Sequence, residues 1–215
     1  GLTDDTRHEF GAFIEDQWFV DPKLAIHGGI RFDRVQTSGV AVSPRLSILI
    51  TPAPDHALRM SVSRAFRAPT PVENFVDVPT AYPLPLGPGF TVMIPFRVHG
   101  DTTLDEVRSV GIEAGYTGVI ARRYTLQVTA YRVRASDTIQ IGTTALYSPA
   151  DPPATWPFPP VTVPTGLLPK SSGYRNTGAI TNRGIEATLN SAWGARAWSA
   201  VSYTWQRKPE LTDTD

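Results

Sequence analysis

Cysteine is absent from the 215 residues of this chain, and neither charge sign is in excess, with 20 Lys and Arg against 20 Asp and Glu. Without cysteine the chain can form neither a disulfide framework nor a zinc site with thiolate ligands. It also lacks the basic excess of many nucleic-acid-binding proteins and the acidic excess of a disordered tail. We therefore expect a folded protein with no nucleic acid partner.

Long hydrophobic runs are missing too. The most compact apolar run, LSILI at Leu46–Ile50, has the length of a strand, whereas a membrane-spanning helix needs about 18 or more apolar residues. This excludes a transmembrane helix, and no N-terminal signal peptide is visible. Because the chain starts with Gly1 and a polar segment and ends on a polar one, we expect an interior part of a longer protein.

The motifs of enzymes are absent as well. The sequence has no G-x-S-x-G, P-loop or dinucleotide-binding fingerprint, and the adjacent Glu15 and Asp16 would point to opposite faces of a strand. We predict no catalytic residue, no cofactor and no enzymatic activity. We also predict no metal site, because the histidines lack zinc-motif spacings; they are His8, His27, His56 and His99.

What the chain does contain is alternation of apolar and polar residues, a period of two that predicts β-strands. In ALRMSVSRAF, for example, Leu58, Met60 and Val62 alternate with polar residues. The parity slips at Ala130–Tyr131, where we expect a β-bulge. We predict eight strands, at residues 8–19, 23–35, 43–52, 56–66, 106–117, 122–139, 174–191 and 197–208.

The connections between these strands alternate in length. Short turns follow the odd-numbered strands, whereas residues 67–105 and 140–173 form long, proline-rich segments after the fourth and sixth strands. We expect these two segments to be irregular loops. In a meander, alternate connections lie at opposite ends, so short turns gather at one end and long loops at the other, as in outer-membrane barrels. The apolar face would contact lipid and the polar face a wet lumen; the polar face carries Arg31, Glu113, Gln127, Glu186 and Asn190.

Several segments, in this order, resemble the barrel of TonB-dependent outer-membrane receptors. They are FGAFIEDQW, LAIHGGIRFD, VSPRLSILITPAPDHALRMSVSRAFRAPTPVE, LDEVRSVGIEAGY and NTGAITNRGIEATL. The most specific is SPRLS…LRMSVSRAFRAPT, which in the family is a hairpin leading into a long external loop. The resemblance covers most of the chain outside the two long segments.

The resemblance implies an all-β, antiparallel, up-and-down transmembrane β-barrel of about 22 strands, of which residues 1–215 would supply about eight. The family's plug domain and TonB box are not recognisable here. The implied function is uptake of a scarce ligand across the bacterial cell outer membrane: a siderophore, another metal chelate or an oligosaccharide. The implied partners are outer-membrane lipid and lipopolysaccharide, the receptor's own plug, the TonB energy-coupling complex through that plug, and the small-molecule ligand.

Two arginines, Arg64 and Arg67, stand where the fourth strand ends at Pro69 and Pro71, since proline stops ladder pairing. They would line the barrel mouth for an anionic ligand such as a ferric chelate. Alternatively, they anchor the loop base or contact lipopolysaccharide phosphates.

Aromatic and cationic residues in the two long segments are the other ligand-binding candidates. They would form a ligand surface, or pack on one another as an ordered cap; stiff proline-rich chain loses less entropy on binding. The candidates are Tyr82, Phe90 and Arg97 in the first segment and Tyr147 and Trp156 in the second.

Two other architectures stay open from the sequence. One is a complete eight-stranded outer-membrane barrel, structural or hydrolytic; the other is a soluble, carbohydrate-binding β-sandwich. A sandwich would bury Leu58, Ile112 and Leu189 in a packed interior, whereas a membrane barrel leaves them on its outer face.

Overall fold

The computed structural model describes residues 8–35, 39–194 and 197–212. Its secondary structure is nearly all β, with one short helix, α1 (Pro71–Phe75), and a 3-10 turn at Pro160–Thr162. Across the described ranges, no helix is long and apolar enough to cross a membrane. The strands are β1 (Glu9–Asp21), β2 (Leu24–Val35), β3 (Gly39–Ala53), β4 (His56–Arg67), β5 (Asp77–Gly87), β6 (Phe90–His99), β7 (Val107–Ile120), β8 (Tyr124–Ser136), β9 (Thr138–Leu146), β10 (Pro169–Thr177), β11 (Ala179–Ala192), β12 (Trp198–Gln206) and β13 (Glu210–Thr212).

The chain divides into two compact units. The sheet unit comprises residues 1–68, 106–138 and 178–215, and the insertion unit comprises residues 69–105 and 139–177. In the sheet unit the strand order is β1-β2-β3-β4-β7-β8-β11-β12, with β13 also paired to β11, and every pair is antiparallel. This meander confirms the predicted all-β, antiparallel, up-and-down fold. Within the described part of the chain, β1 and β12 are the two ends of the sheet, which is therefore not a closed eight-stranded barrel.

The register gives the sheet one apolar face and one polar face. Leu58, Ile112 and Leu189 keep 40%, 55% and 37% of their surface exposed, which contradicts the packed interior of a soluble sandwich. One apolar row crosses the whole sheet and contains Trp18, Ile26, Ile48, Met60, Ala114, Ala130, Ile185 and Trp205.

The opposite face is polar, as predicted. Glu113 accepts a hydrogen bond from Arg59 at 3.0 Å, and Arg45 forms an ion pair with Glu15. The first pair joins the neighbouring strands β4 and β7, and the second joins β3 to β1 across the intervening β2. The alternation in the sequence therefore predicted the two-faced character of the sheet correctly.

The expected β-bulge at Ala130–Tyr131 is wrong. Pairing of β8 runs without a shift from Tyr124 to Ser136 against β7, and from Tyr124 to Ala135 against β11. The physical reason is Gly184, which lies opposite Tyr131: a Cβ there would come within 2.7 Å of the Tyr131 hydroxyl. The tyrosine ring uses the space left by the missing side chain, so the strand keeps its register. After Ala130, polar side chains of β8 therefore lie on the apolar face of the sheet, and apolar side chains lie on the polar face.

The short turns are built with local hydrogen bonds. Between β1 and β2, the Lys23 amide donates to the Asp21 carboxylate at 2.6 Å. Between β7 and β8, the Arg123 amide donates to the Ile120 carbonyl at 3.2 Å. The two central residues of this turn, Ala121 and Arg122, both have φ 52°, a left-handed conformation that glycine or asparagine usually adopts. The turn therefore uses left-handed conformations at two residues that have no turn preference.

The two long segments are not the irregular loops predicted from their prolines. They form a four-stranded sheet with the order β5-β6-β10-β9, so the predicted strands 122–139 and 174–191 each join two strands. Between β8 and β9, Asp137 adopts φ 55°, and the Thr138 amide donates to the Gly178 carbonyl at 3.4 Å. The chain therefore changes sheet at this corner.

Strand β5 accommodates three prolines because all share one parity. Pro79, Pro83 and Pro85 lie opposite Arg97, Met93 and Thr91 of β6. Since β5 is an edge strand, residues of this parity direct their amide position away from β6, where no hydrogen bond is lost. The residues between them keep the N–H groups that pair with β6.

The exit from β4 contains a helix cap. The Thr70 hydroxyl accepts from the Glu73 amide at 3.2 Å, and the Glu73 carboxylate accepts from the Thr70 amide at 2.7 Å, a reciprocal capping box with Pro71 at the first turn of α1. Gly100 packs against this helix so closely that a Cβ would lie 2.4 Å from the Asn74 carbonyl carbon. The PTPVE motif therefore starts the insertion unit with a defined turn.

The insertion unit has its own small core. Ile94 of β6 is fully buried and packs with Tyr147, Val163 and Leu168, which follow β9 and precede β10. Partly buried side chains pack around this core; they are Tyr82, Leu84, Val92 and Trp156. The core joins the two long segments into one folded unit.

Candidate functional site

Two tyrosines, the partly buried Tyr82 and the buried Tyr147, hold the insertion unit together from opposite directions. Tyr82 on β5 donates its hydroxyl to the Pro169 carbonyl at 3.2 Å, and Tyr147 donates to the Pro95 carbonyl at 3.0 Å. Burial raises the pKa of the Tyr82 hydroxyl above 10.0, and the nearby Tyr147 raises it further. Both rings are thus fixed in the core with their hydroxyls satisfied.

A cleft of about 510 Å³ lies beside these tyrosines. Its wall combines the start of β5, the end of β6 and the start of β10, and β10 pairs in parallel with β6 from Arg97–Ser171 to His99–Gly173. The cleft is lined by Asp77, Pro79, Thr80, Pro95, Phe96, Arg97, His99, Tyr147, Lys170 and Ser171.

The cleft contains two cations, each paired with a carboxylate. Arg97 forms a two-pronged ion pair with Asp77, and this pairing lowers the pKa of the Asp77 carboxyl and raises that of Arg97. Lys170 bonds to Asp151 at 2.6 Å, which raises the pKa of the lysine, and its ammonium lies 5.7 Å from the centre of the Tyr147 ring. These exposed ion pairs are weak, so both cations can contact an incoming anion.

A second feature of the insertion unit is an aromatic cluster. Phe158 packs edge-to-face against Phe90 at 6.4 Å and against Trp156 at 6.0 Å between ring centres. The Trp156 indole donates to the Thr162 hydroxyl at 3.0 Å, while Phe90 and Phe158 stay about half exposed. The rings of the cluster thus pack on one another and still leave aromatic surface exposed.

The candidate residues from the sequence divide between the units. Tyr82, Phe90, Arg97, Tyr147 and Trp156 all lie in the insertion unit. Arg97 and Tyr147 line the same cleft, Tyr82 packs on the same core as Trp156, and Phe90 joins the aromatic cluster through Phe158.

Arg64 and Arg67 belong to the sheet unit and lie on opposite faces of β4. Arg64 pairs with Val110 on the apolar face, whereas Arg67 pairs with Val107 on the polar face. The two arginines therefore do not form one site.

Two cleft residues were not chosen as binding candidates from the sequence: His99 and Lys170. The parallel pairing of β6 with β10 brings His99 and Lys170 to one cleft, and no local pattern signals a pairing between such distant segments. In the described part of the chain, no group of three or more His, Asp or Glu side chains could hold a metal ion. The cleft is suited to binding an anion or an aromatic molecule.

Comparison with known proteins gives a family match over almost the whole chain. The family model of the TonB dependent receptor-like beta-barrel matches residues 2–215. No curated relative matches the chain.

Solved structures similar to the chain include three siderophore receptors. The siderophore receptor PirA of Pseudomonas aeruginosa has a TM-score of 0.67 at 18% identity and covers 94% of this chain. PirA of Acinetobacter baumannii has a TM-score of 0.69 at 22% identity and covers 92% of this chain. A mutant of the ferric enterobactin receptor PfeA of Pseudomonas aeruginosa, in complex with enterobactin, has a TM-score of 0.69 at 16% identity and covers 93% of this chain. The chain covers 35%, 27% and 27% of these three proteins, about a third of their length or less.

Proposed function

The chain belongs to the TonB-dependent receptors, an outer-membrane family, as part of their β-barrel, and from this premise we propose that it serves uptake of a scarce, anionic metal chelate of the ferric siderophore type. The observation that carries the proposal is the cleft of the insertion unit, where Arg97, His99 and Lys170 lie with Tyr147. Arginine and lysine attract an anionic chelate, and the tyrosine offers an aromatic surface to it.

The chemistry of the ligand class fits this cleft. A ferric catecholate carries several negative charges and exposes flat aromatic rings. The cations of the cleft complement the charge, and the exposed Phe90 and Phe158 can stack against the rings. The proline-bearing strand β5 keeps the cleft wall stiff, which reduces the entropy lost on binding. Siderophore receptors among the similar structures support the same ligand class.

The whole receptor would contain more than this chain. We propose a barrel of about 22 strands closed by a plug domain, with the TonB energy-coupling complex acting on that plug and residues 1–215 as part of the barrel. Uptake of this kind consists of binding and gating without bond-making, so the receptor is not an enzyme. Its polar sheet face, with Glu113 and Arg59, would line the lumen.

An oligosaccharide is the second candidate ligand. The observation in its favour is the aromatic cluster, because exposed rings such as Phe90 and Phe158 also stack on sugars. The positive groups of the cleft favour the anionic chelate over this neutral alternative.

The test uses the full-length receptor, purified in detergent, with ferric enterobactin as the anionic probe and quenching of tryptophan fluorescence as the readout. The double variant Arg97→Gln/Lys170→Gln removes two charge-assisted contacts, so we expect binding to weaken at least about tenfold. Arg175→Gln, on β10 but outside the cleft lining, is the matched control and should bind like the wild type.

Two further probes decide between the ligand classes. A neutral ferric hydroxamate and a maltodextrin should bind weakly to the wild type and change little in the double variant. Equal binding of ferric enterobactin by the double variant and the wild type would overturn the cleft as the capture site. Tight binding of the maltodextrin, with none of the chelate, would overturn the chelate and favour the oligosaccharide.

A further inference from the structure

The ion pair between Asp77 and Arg97 lies across two strands of the cleft wall. Asp77 of β5 lies opposite His99 of β6, and Arg97 precedes His99 by two residues. Residues directly opposite and residues two apart point the same way, so all three share one face of the sheet. From this diagonal position the Nε and a terminal nitrogen of Arg97 donate to the two oxygens of the Asp77 carboxylate. The carboxylate therefore occupies the two-donor edge of the guanidinium, which is the edge that binds anions in a fixed geometry.

Lys170, the other cation of the cleft, has a carboxylate partner of its own. Its ammonium donates to the Asp151 carboxylate at 2.6 Å. Asp151 is fixed in a tight turn, where its backbone exchanges hydrogen bonds with that of Ser148 at 3.0 and 3.1 Å. Asp77 lines the cleft, whereas Asp151 lies outside its lining. Of the two carboxylates, Asp77 is therefore the one that shares the cleft with a bound ligand.

An anion that binds the two-donor edge of Arg97 must displace the Asp77 carboxylate. Because the two residues lie on paired strands, Asp77 stays within reach of Arg97 for as long as the ligand is bound. A competitor held on the same scaffold acts at a high effective concentration, whatever the concentration of free ligand. The exposed ion pair is weak, so a ligand with further contacts to Lys170 and Tyr147 still binds. Such a ligand nevertheless binds against a permanent competitor.

His99 gives the displaced carboxylate a second partner. Side chains directly opposite in a sheet have Cβ atoms about 4.5–5.5 Å apart, which is close enough for an imidazole N–H to donate to a carboxylate. The hydrogen bond from Arg97 lowers the pKa of the Asp77 carboxyl, and attraction to Arg97 and His99 lowers this pKa further. Asp77 can therefore stay charged beside His99 while a ligand occupies Arg97, and it can then return.

We propose that Asp77 is a tethered competitor that releases the captured ligand: its carboxylate takes Arg97 back and so shortens the time that the ligand spends in the cleft. This inference rests on the proposed function, since uptake requires that a ligand captured in the cleft also leaves it. An ion pair that only stabilises the fold behaves in the opposite way, because loss of Asp77 then loosens the cleft and weakens binding.

The first test follows ferric enterobactin binding and dissociation on the full-length receptor in detergent, by stopped-flow tryptophan fluorescence. Asp77→Asn removes the charge and keeps the shape of the side chain. Dissociation should become about two- to fivefold slower, which is the range of an exposed ion pair, with little change in the association rate. Asp77→Glu keeps the charge and should dissociate like the wild type. So should Asp105→Asn, which removes the same charge from the same unit outside the cleft lining.

Two controls connect the effect to Arg97. In an Arg97→Gln background, Asp77→Asn should have no further effect, because the competitor has lost its target. A neutral ferric hydroxamate, which does not need the guanidinium, should dissociate equally fast from Asp77→Asn and from the wild type. Faster dissociation of ferric enterobactin from Asp77→Asn would show that the ion pair is structural and would overturn the proposal. An equally large effect of Asp77→Asn in the Arg97→Gln background would overturn it as well.

The second test measures uptake of radiolabelled ferric enterobactin by cells that carry the full-length receptor. At saturating ligand, uptake through Asp77→Asn should be about two- to fivefold slower although binding is tighter, and uptake at the wild-type rate would contradict the release role. Failure of the proposed function looks different: Arg97→Gln/Lys170→Gln would then bind like the wild type. Weakened binding in that double variant, together with wild-type dissociation from Asp77→Asn, would overturn only the release role of Asp77.

Discussion

At the scale of single residues, the hydroxyls of Tyr82 and Tyr147 tie together segments that are far apart in the sequence. Each donates to a proline carbonyl on another segment of the insertion unit. Such a bond contributes about 1 kcal/mol net, and it fixes a ring of the small core as well. The cleft beside them therefore depends on these two hydroxyls for its shape.

Because of Tyr82, the stability of the insertion unit should depend on pH in the alkaline range. Burial raises the pKa of its hydroxyl above 10.0, so above pH 10 the unfolded chain loses this proton while the folded chain retains it. Stability is thus fully present below pH 10 and falls as the pH rises through the folded-state pKa. We expect the urea midpoint of the wild type to fall above pH 10, and that of Tyr82→Phe to fall less steeply.

The comparison variant is Tyr174→Phe, which removes one hydroxyl from β10 of the same sheet and should follow the wild-type pH profile. At neutral pH, Tyr82→Phe should be about 1 kcal/mol less stable because the bond to Pro169 is lost. Parallel pH profiles for Tyr82→Phe and the wild type would contradict this role of burial.

The residues with unusual backbone conformations could not be predicted from the sequence. Ala121, Arg122 and Asp137 all have positive φ, although alanine and arginine carry no turn signal. These angles are set by the β7–β8 turn and by the connection between β8 and β9, and not by the residue types. By contrast, Thr70, Pro71 and Glu73 carry a capping pattern that sequence reading can find, and the structure contains that cap.

At the scale of elements, β5 contains three prolines and can pair with β6 only if the prolines occupy positions that donate no hydrogen bond to β6. Pro79, Pro83 and Pro85 occupy positions that direct no amide towards β6, and Thr80 and Tyr82 between them keep theirs. An expectation of irregular loops follows naturally from proline content alone. The parity of the prolines was the signal that would have predicted an edge strand.

This parity predicts opposite effects of two substitutions. Thr80→Pro removes an amide that faces β6 opposite Phe96 and should destabilise the insertion unit by about 1–3 kcal/mol. Pro83→Ala should change stability little, since its position needs no hydrogen bond. The measurement is the urea dependence of limited proteolysis between β5 and β6. Equal resistance of Thr80→Pro and the wild type would show that the ladder does not run in this phase.

The strands of the sheet unit were the predictable elements, because alternation on a two-sided surface is a local signal. Leu58, Met60 and Val62 share a face as expected. The phase of β8 was not predictable, because it depends on the space that Gly184 leaves for Tyr131 on the neighbouring strand. The cleft was unpredictable for the same reason: it arises where β6 meets β10. Arg97 and Tyr147, two ligand-binding candidates from the sequence, both line this cleft, and their ligand-binding role stays a prediction.

At the scale of the whole molecule, the ends of the large sheet determine how the 215-residue chain behaves alone. The edge strand β1 exposes Phe10, Phe19 and Val20, and in the described sheet its outer side has no partner. Unpaired backbone groups are costly in lipid and promote edge-to-edge association in water. We expect the isolated chain to aggregate, or to fail to insert into vesicles, when followed by light scattering and by protection from added protease.

The full-length receptor, refolded under the same conditions, is the reference and should insert. A detergent-free, monodisperse monomer of the isolated chain would contradict the interpretation of β1 as a strand that needs a neighbour.

The parallel pairing of β6 with β10 also determines when the smaller sheet can be completed during synthesis. Arg97 meets Ser171, and β7 and β8 come between them in the chain. During synthesis and export, the β5–β6 hairpin emerges long before the segment that completes its sheet. The proposed ligand-binding cleft can therefore form only after β10 has been made, and a chain arrested after β8 would lack the β10 wall of that cleft.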